Sequence, residues 1–190
     1  MLHARARQFR ASYYERVGSL LGALTSPRRL ELLDLLAQAA RTVDELATCT
    51  SQSVANTSQH LQILRRAALV SRRKAGQSAV YALADDTLPP VLAGFRTAAE
   101  SRLLDISAMR RRYARELGVT DSTGVEGLIR RVRQGTVTVV DVRPGVEFAA
   151  GHLPGAVSLP MDVIDGERLL FSKRRTVVAY CRGPYCVMAL

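Results

Sequence analysis

No apolar run in the sequence approaches the roughly 20 residues a membrane-spanning helix needs, so no membrane partner is expected. Behind the arginines of MLHARARQFR there is no apolar stretch of the kind that makes a secretory signal. Cysteine is scarce, three in 190 residues. Three thiols without a secretory signal argue against a disulfide scaffold and for reduced cysteines in the cytoplasm. Lysine is scarcer still: Lys74 and Lys173 are the only two, so arginine supplies nearly all of the 27 basic side chains. Residues 88–116 contain no histidine. The remainder is ordinary for a globular protein. Apolar residues make up 47% and charged residues 23%, enough to build a core and to exclude disorder as the main state. The length suits one large domain or two small ones.

The net charge of +10 is unevenly spread. Residues 1–115 carry 18 Arg and Lys against nine Asp and Glu, whereas residues 116–190 carry nine against eight. This asymmetry suggests a nucleic-acid or other anionic partner for the first part. The alternative is a general arginine preference with a solvated basic face.

Hydrophobic periodicity predicts a helix over 12–25, with Tyr13, Val17, Leu20, Leu21 and Leu24 as its stripe. Ser26-Pro27 reads as N-cap and first helical residue of a second helix bearing Leu30, Leu33 and Leu36. Thr42 and Glu45 fit a capping box opening a short third helix. Ser53 caps a fourth, in which Val54, Leu61, Leu64 and Ala68 are expected inside. Residues 70–83 switch to period two and turn at Ala75-Gly76, a hairpin. Pro89-Pro90 opens a long fifth helix through Leu92, Phe95, Ala99, Leu103, Ile106 and Tyr113. Its apolar face suits a copy of itself in a second chain. This order is a winged helix-turn-helix plan. Asp121 to Gly124 reads as a linker. A helix over 125–134, closed by Gly135, then leads to apolar runs Val137–Val142 and Thr176–Tyr180. These read as buried strands of a mainly parallel α/β sheet.

The fourth helix carries a polar face of Ser53, Asn56, Ser58, Gln59, His60 and Gln62. Asn and Gln pair bidentately with adenine in the major groove, and Ser or His reaches bases or phosphates. Arg65 and Arg66, with Arg72, Arg73 and Lys74 on the hairpin, suit phosphate or minor-groove contact. A solvated helix face is the bland alternative. SQHLQILRRAALV followed by SRRKAGQSAVYAL resembles the ArsR family of dimeric winged-helix repressors over about residues 12–115. The resemblance implies that residues 53–66 are the recognition helix and 70–83 the wing. It further implies a homodimer binding operator DNA, with a ligand lowering DNA affinity. Where many members carry a cysteine pair in the third helix, this sequence has Glu45-Leu46-Ala47-Thr48-Cys49. One thiol and no nearby histidine do not make a metal site, so no metal and no other cofactor is expected. Cys49 reads as a small buried residue.

Thr176–Tyr180 runs straight into Cys181-Arg182-Gly183-Pro184-Tyr185-Cys186. A thiol at the C-terminal tip of a parallel strand is favoured as an anion by loop N–H groups and a following helix N-terminus, with Arg182 adding to this. Such a thiolate accepts and passes sulfane sulfur, or is oxidised. Together with Asp141-Val142-Arg143-Pro144, Glu147-Phe148 and Gly151-His152-Leu153-Pro154-Gly155-Ala156, this loop resembles the rhodanese domain over about 122–190. The resemblance implies Cys181 as the persulfide-carrying nucleophile. Asp141, Arg143 and His152 are expected to hold loop and fold. Cys186 either resolves a Cys181 persulfide as a disulfide or packs at a helix start. A phosphatase of similar cradle has arginine where Val187 stands, which disfavours phosphoryl chemistry. The rhodanese pattern continues past the point where this sequence ends at Leu190, so a truncated domain and weak turnover are expected.

The expected architecture is therefore an α+β winged helix-turn-helix domain over 1–118, followed by a small α/β rhodanese-like domain over 119–190. The expected function is a cytoplasmic, homodimeric DNA-binding regulator, a repressor in the sense the family implies, whose second domain senses or carries reactive sulfur. The alternative is a sulfurtransferase anchored by its winged helix.

Overall fold

The computed structural model describes residues 2–116, 125–164 and 176–182. The chain divides into two compact units, residues 1–94 and 95–190, taken separately below.

In the first unit, α1 spans Leu2–Ala23 and α2 spans Pro27–Leu36. The two-residue strand β1 (Arg41–Thr42) leads into α3 (Val43–Cys49) and α4 (Val54–Arg66). Strands β2 (Val70–Ala75) and β3 (Ser78–Leu83) form the hairpin, and α5 (Leu88–Arg102) begins in this unit and runs past its end at residue 94. The sheet is antiparallel in the order β1-β3-β2, with Arg41 opposite Tyr81 and Arg73 opposite Val80. Its core joins Leu32, Leu33, Leu35 and Leu36 of α2 to Leu46, Leu61 and Leu64, and to Tyr81 and Leu92.

Local chemistry sets the helix ends. The capping box is complete: Glu45 N–H donates to Thr42 Oγ1 at 3.3 Å, and the Thr42 backbone N–H donates to Glu45 Oε2 at 2.7 Å. The Thr42 backbone N–H foremost, and then the Thr42 hydroxyl donating to the same Oε2 at 2.9 Å, hold the Glu45 carboxyl below its ordinary pKa. Ser53 caps α4 by accepting from the Asn56 N–H at 3.2 Å. Both α3 and α4 close in the 6→1, 5→2 pattern of a Schellman motif. In α4, Leu69 N–H donates to Leu64 O and Ala68 N–H to Arg65 O, each at 3.0 Å, with Ala68 at φ 55°. In α3, Gln52 N–H donates to Ala47 O at 2.9 Å and Ser51 N–H to Thr48 O at 3.2 Å, with Ser51 at φ 51°.

Several expectations are corrected. The first helix starts ten residues before position 12, because Ala, Arg and Gln propagate a helix without contributing to an apolar stripe. Leu30 is exposed, and α2 buries Leu32 and Leu35 beside Leu33 and Leu36. Val54 is exposed and Ala68 lies beyond the helix; Thr57 holds the inward place instead. The long fifth helix is two: α5, and α6 over Leu104–Glu116, parted at Leu103. Nothing in the local sequence marks that break. Strand β1 is too short to show a period.

In the second unit, α6 is followed by α7 (Val125–Arg133), β4 (Val137–Asp141), α8 (Gly145–Ala150), β5 (Val157–Ser158), α9 (Met161–Ile164) and β6 (Thr176–Tyr180). The sheet is parallel in the order β5-β4-β6, which places β4 in the middle. Leu128 of α7 packs on Val137 and Val139, with Val178 and Tyr180 beside them. Gly135 closes α7 at φ +66°, a left-handed position that glycine takes without steric cost. Among the described residues no helix is long and apolar enough to cross a membrane.

Candidate nucleic-acid interface and thiol site

In the first unit, Thr57, Leu61 and Leu64 fix α4 to the core. That leaves Ser53, Asn56, Gln59, Gln62, Arg65 and Arg66 exposed, with Ser58 and His60 half-buried. The Nδ1 of His60 is shut from solvent and has no hydrogen-bond partner among the described residues. Asn56 is already engaged: its Nδ2 donates to Gln52 Oε1 at 2.7 Å. Arg65 and Arg66 lie in the last turn, where cations suit the negative end of the helix dipole. Four residues further on, β2 begins, and Ser71, Arg72, Arg73 and Lys74 are all exposed along it. The hairpin turns at Gly76, φ +60°. Such a stretch is a positively charged finger, with two faces open to an anionic partner.

In the second unit, the chemistry gathers at the C-terminal ends of β4 and β6, where open parallel sheets place their ligands. Asp141, last in β4, sits opposite Tyr180, last in β6. Its buried carboxylate accepts from Arg143 Nη2 at 2.6 Å, Arg143 Nε at 2.9 Å, the Arg143 backbone N–H at 3.0 Å and Tyr180 Oη at 2.6 Å. Burial pushes the Asp141 carboxyl up, but the hydrogen bonds from Arg143 and Tyr180 prevail and hold it below its ordinary pKa. Burial, then the bond to Asp141, pushes the Tyr180 phenol up. The phenol oxygen also accepts from Leu153 N–H at 3.1 Å, and Arg143 Nη2 donates to Gly151 O at 2.7 Å. Asp141 thereby binds the Gly151–Ala156 loop to the sheet.

A second buried carboxylate, Glu147 of α8, accepts from Arg182 Nε at 2.9 and 3.0 Å and from Nη2 at 2.5 Å. Cys181 is half-buried between these two anchors. Arg182, expected beside the thiolate, has its guanidinium committed to Glu147. His152 is exposed, stacks on Phe148 with ring centroids 3.8 Å apart, and donates from Nδ1 to Phe148 O at 2.9 Å. Gly155, φ +79°, faces Val132, whose Cγ1 would lie 3.4 Å from an added Cβ.

Cys186, the Gly183-Pro184 cradle, Val187 and the Asp121–Gly124 linker lie outside the described residues. Cys49 is exposed rather than buried, because Leu46 and Ala47 fill the inward face of α3. Among the described residues no three His, Cys, Asp or Glu side chains come together to hold a metal. Sequence reasoning missed the roles of Tyr180, Glu147 and Gln52. A phenol closing a β-branched run is the one sign that Tyr180 needs a polar partner. Glu147 stands in a quoted motif but gives no sign of which cation it meets.

Residues 26–72 match the family described as bacterial regulatory protein, arsR family, and residues 125–190 match the rhodanese-like domain. The chain is 36% identical over 181 residues to the HTH-type transcriptional regulator Rv0324 of Mycobacterium tuberculosis, covering 95% of this chain and 79% of that protein. It is 35% identical over 75 residues to the HTH-type transcriptional repressor SmtB of the same organism, 40% of this chain and 56% of the relative. The solution structure of the homodimeric winged helix-turn-helix DNA-binding domain Mb0332 from Mycobacterium bovis is 33% identical. It covers 49% of this chain and 86% of its own, with a TM-score of 0.47.

A winged helix-turn-helix and a rhodanese-like domain in one chain define a transcriptional regulator with an α/β domain attached. The likeness to Rv0324 runs through both parts, and the chain belongs to the ArsR family of bacterial regulatory proteins.

Proposed function

We propose that the protein binds double-stranded operator DNA as a homodimer in the cytoplasm, and that modification of Cys181 by reactive sulfur weakens this binding. The observation that carries the DNA reading is the run of exposed Ser71, Arg72, Arg73 and Lys74 on β2, directly after an α4 whose outward face is amide-rich. In this reading α4 enters the major groove. Asn56, Ser58, Gln59, His60 and Gln62 meet base edges, while Ser53, Arg65 and Arg66 meet phosphates. The wing adds affinity without sequence information. Exposed apolar side chains on α1 and α5, among them Tyr13, Leu20, Leu21, Val91 and Phe95, supply the surface for a second copy. In this reading the DNA-binding and dimerisation domain runs over residues 1–118 and takes in α5 and α6, although the compact units divide at 94/95, inside α5.

For the thiol, the support is the anchoring of both neighbours of Cys181 to buried carboxylates. The Cys181 thiolate attacks a terminal sulfur of a polysulfide. A Cys–S–S bond forms as the adjacent S–S bond breaks, and the shortened polysulfide leaves with the electron pair. Arg182 and the Asp141–Arg143 pair shape the loop, His152 braces its approach, and Cys186 offers a resolving thiol. The modified loop then biases the dimer away from its DNA-competent arrangement. The likeness to a transcriptional regulator over 95% of this chain supports this over a sulfurtransferase with a DNA anchor.

Fluorescence anisotropy on a labelled duplex tests the DNA reading. Replacing Arg72, Arg73 and Lys74 together by alanine is expected to weaken binding to all duplexes alike. The slope of log K against log salt is expected to fall by about one per lost phosphate contact. An unchanged slope would remove the wing from the interface.

A further inference from the structure

We propose that Asn56 is the adenine-reading residue of α4 and that Gln52 is its positioning residue; this rests on α4 being the major-groove element, as proposed above. Gln52 is the first residue after the Schellman turn of α3, and its backbone N–H is fixed to Ala47 O at 2.9 Å. The preceding Ser51 holds the left-handed conformation that makes this turn. From this fixed base the Gln52 side chain reaches one helical turn forward, where Oε1 accepts the Asn56 amide at 2.7 Å. Asn56 is held a second time, by its backbone N–H on Ser53 Oγ. The Gln52 Nε2 is shut from solvent and has no hydrogen-bond partner among the described residues, so the bond from Asn56 to Oε1 is the side-chain hydrogen bond described for Gln52.

The bond uses one of the two N–H groups of Asn56. What remains on this exposed side chain is one N–H donor and the carbonyl acceptor. Adenine presents the complement in the major groove, an N7 acceptor beside an N6 amino donor. A side chain already held in one rotamer loses less entropy on docking than a free one. The exposed Gln59 and Gln62 have longer side chains, and none of the hydrogen bonds described here anchors them. Asn56 is therefore the amide best prepared to discriminate between bases, and Gln52 acts through it without touching DNA.

The test uses the full-length chain and a randomised double-stranded DNA library. Duplexes selected by the wild type, Asn56→Ala, Gln52→Ala and Gln52→Glu are sequenced. Affinities are then read by anisotropy on the selected duplex and on a scrambled one. Wild type is expected to enrich an A·T pair at one position repeated in each half-site. Asn56→Ala is expected to erase that preference and weaken the selected duplex about tenfold, leaving the scrambled duplex unchanged. Gln52→Ala is expected to weaken the same preference about threefold and to add nothing in the Asn56→Ala background. Gln52→Glu keeps an acceptor for the Asn56 amide and is expected to retain the preference while its charge lowers affinity for every duplex alike. Preferences that survive Asn56→Ala, or a lost preference for a base other than adenine, would overturn the assignment of Asn56. Wild-type selection by Gln52→Ala would overturn the role of Gln52. No enrichment by the wild type, with measurable binding, would overturn base reading by α4 as a whole and this assignment with it.

Discussion

At Asp141 one carboxylate collects an arginine, a phenol and a backbone N–H, and through them a loop and the strand that delivers Cys181. Removing one member of a buried pair leaves the other charge unsatisfied, which costs more than the pair contributes. Asp141→Asn is expected to destabilise the second unit by about 3 kcal/mol in urea unfolding. The pH dependence follows from the directions of the two shifts. Asp141 titrates below its ordinary range, so its contribution is complete above about pH 4, the unfolded value, and is lost as pH falls through the folded one. Tyr180 titrates above its ordinary value, so the contribution of the neutral phenol is complete below about pH 10 and is lost as pH rises through the raised value. Stability of the second unit is thus expected to fall at both extremes. Asp141→Asn is expected to flatten the acid limb, and Tyr180→Phe the alkaline one. An acid limb of unchanged steepness in Asp141→Asn would place the titrating group elsewhere.

Among the elements, α4 is held by its ends as much as by its core face. Ala68 carries a Cβ at φ 55°, a conformation that costs an L-residue about 1–2 kcal/mol and glycine almost nothing. Ala68→Gly is accordingly expected to stabilise the first unit by about 1 kcal/mol, seen as a higher urea midpoint with unchanged slope. A lower midpoint would mean that the greater freedom of glycine in the unfolded chain outweighs the relief. The same position shows where pattern reading stops. The N-terminal ends of α3 and α4 are plain in Thr42, Glu45 and Ser53, because side chains make those caps. Their C-terminal ends are hidden, because Ser51 and Ala68 stand where glycine usually advertises the turn. The turn at Gly76, Gly135 and the strand at β6 are legible for the complementary reason: left-handed glycines and a β-branched run are each local. The period two expected of the hairpin is not found, since Ser71 to Lys74 are exposed in a row along β2, and β6, expected to be buried, leaves Thr176, Val177 and Ala179 exposed. The exposed Cys49, the break at Leu103 and the Glu147–Arg182 pair, 35 residues apart, depend on what packs where. No local pattern encodes that. At the candidate sites the residue types were readable and their partners were not. Asn56 reads as a base contact, but its tether to Gln52 does not; Arg182 reads as a thiolate partner, but it is anchored to Glu147.

Across the whole molecule, the excess positive charge and the winged helix coincide in the first part of the chain, and the thiol at the end of a parallel sheet lies in the second. A regulator assembled this way separates affinity from response. In the proposed reading, the wing and α4 set how tightly DNA is held, and Cys181 sets when it is released. The coupling is the ratio of DNA affinities with and without the modification. The measurement that bears most directly on this account is duplex affinity by fluorescence anisotropy at fixed salt, with and without a polysulfide donor, for wild type and Cys181→Ser. The expected result is about a tenfold or greater loss of affinity on adding donor to wild type, and no change in Cys181→Ser. Equal loss in both proteins would contradict a response through Cys181, and tight binding unaffected by donor in either would contradict a sulfur response altogether.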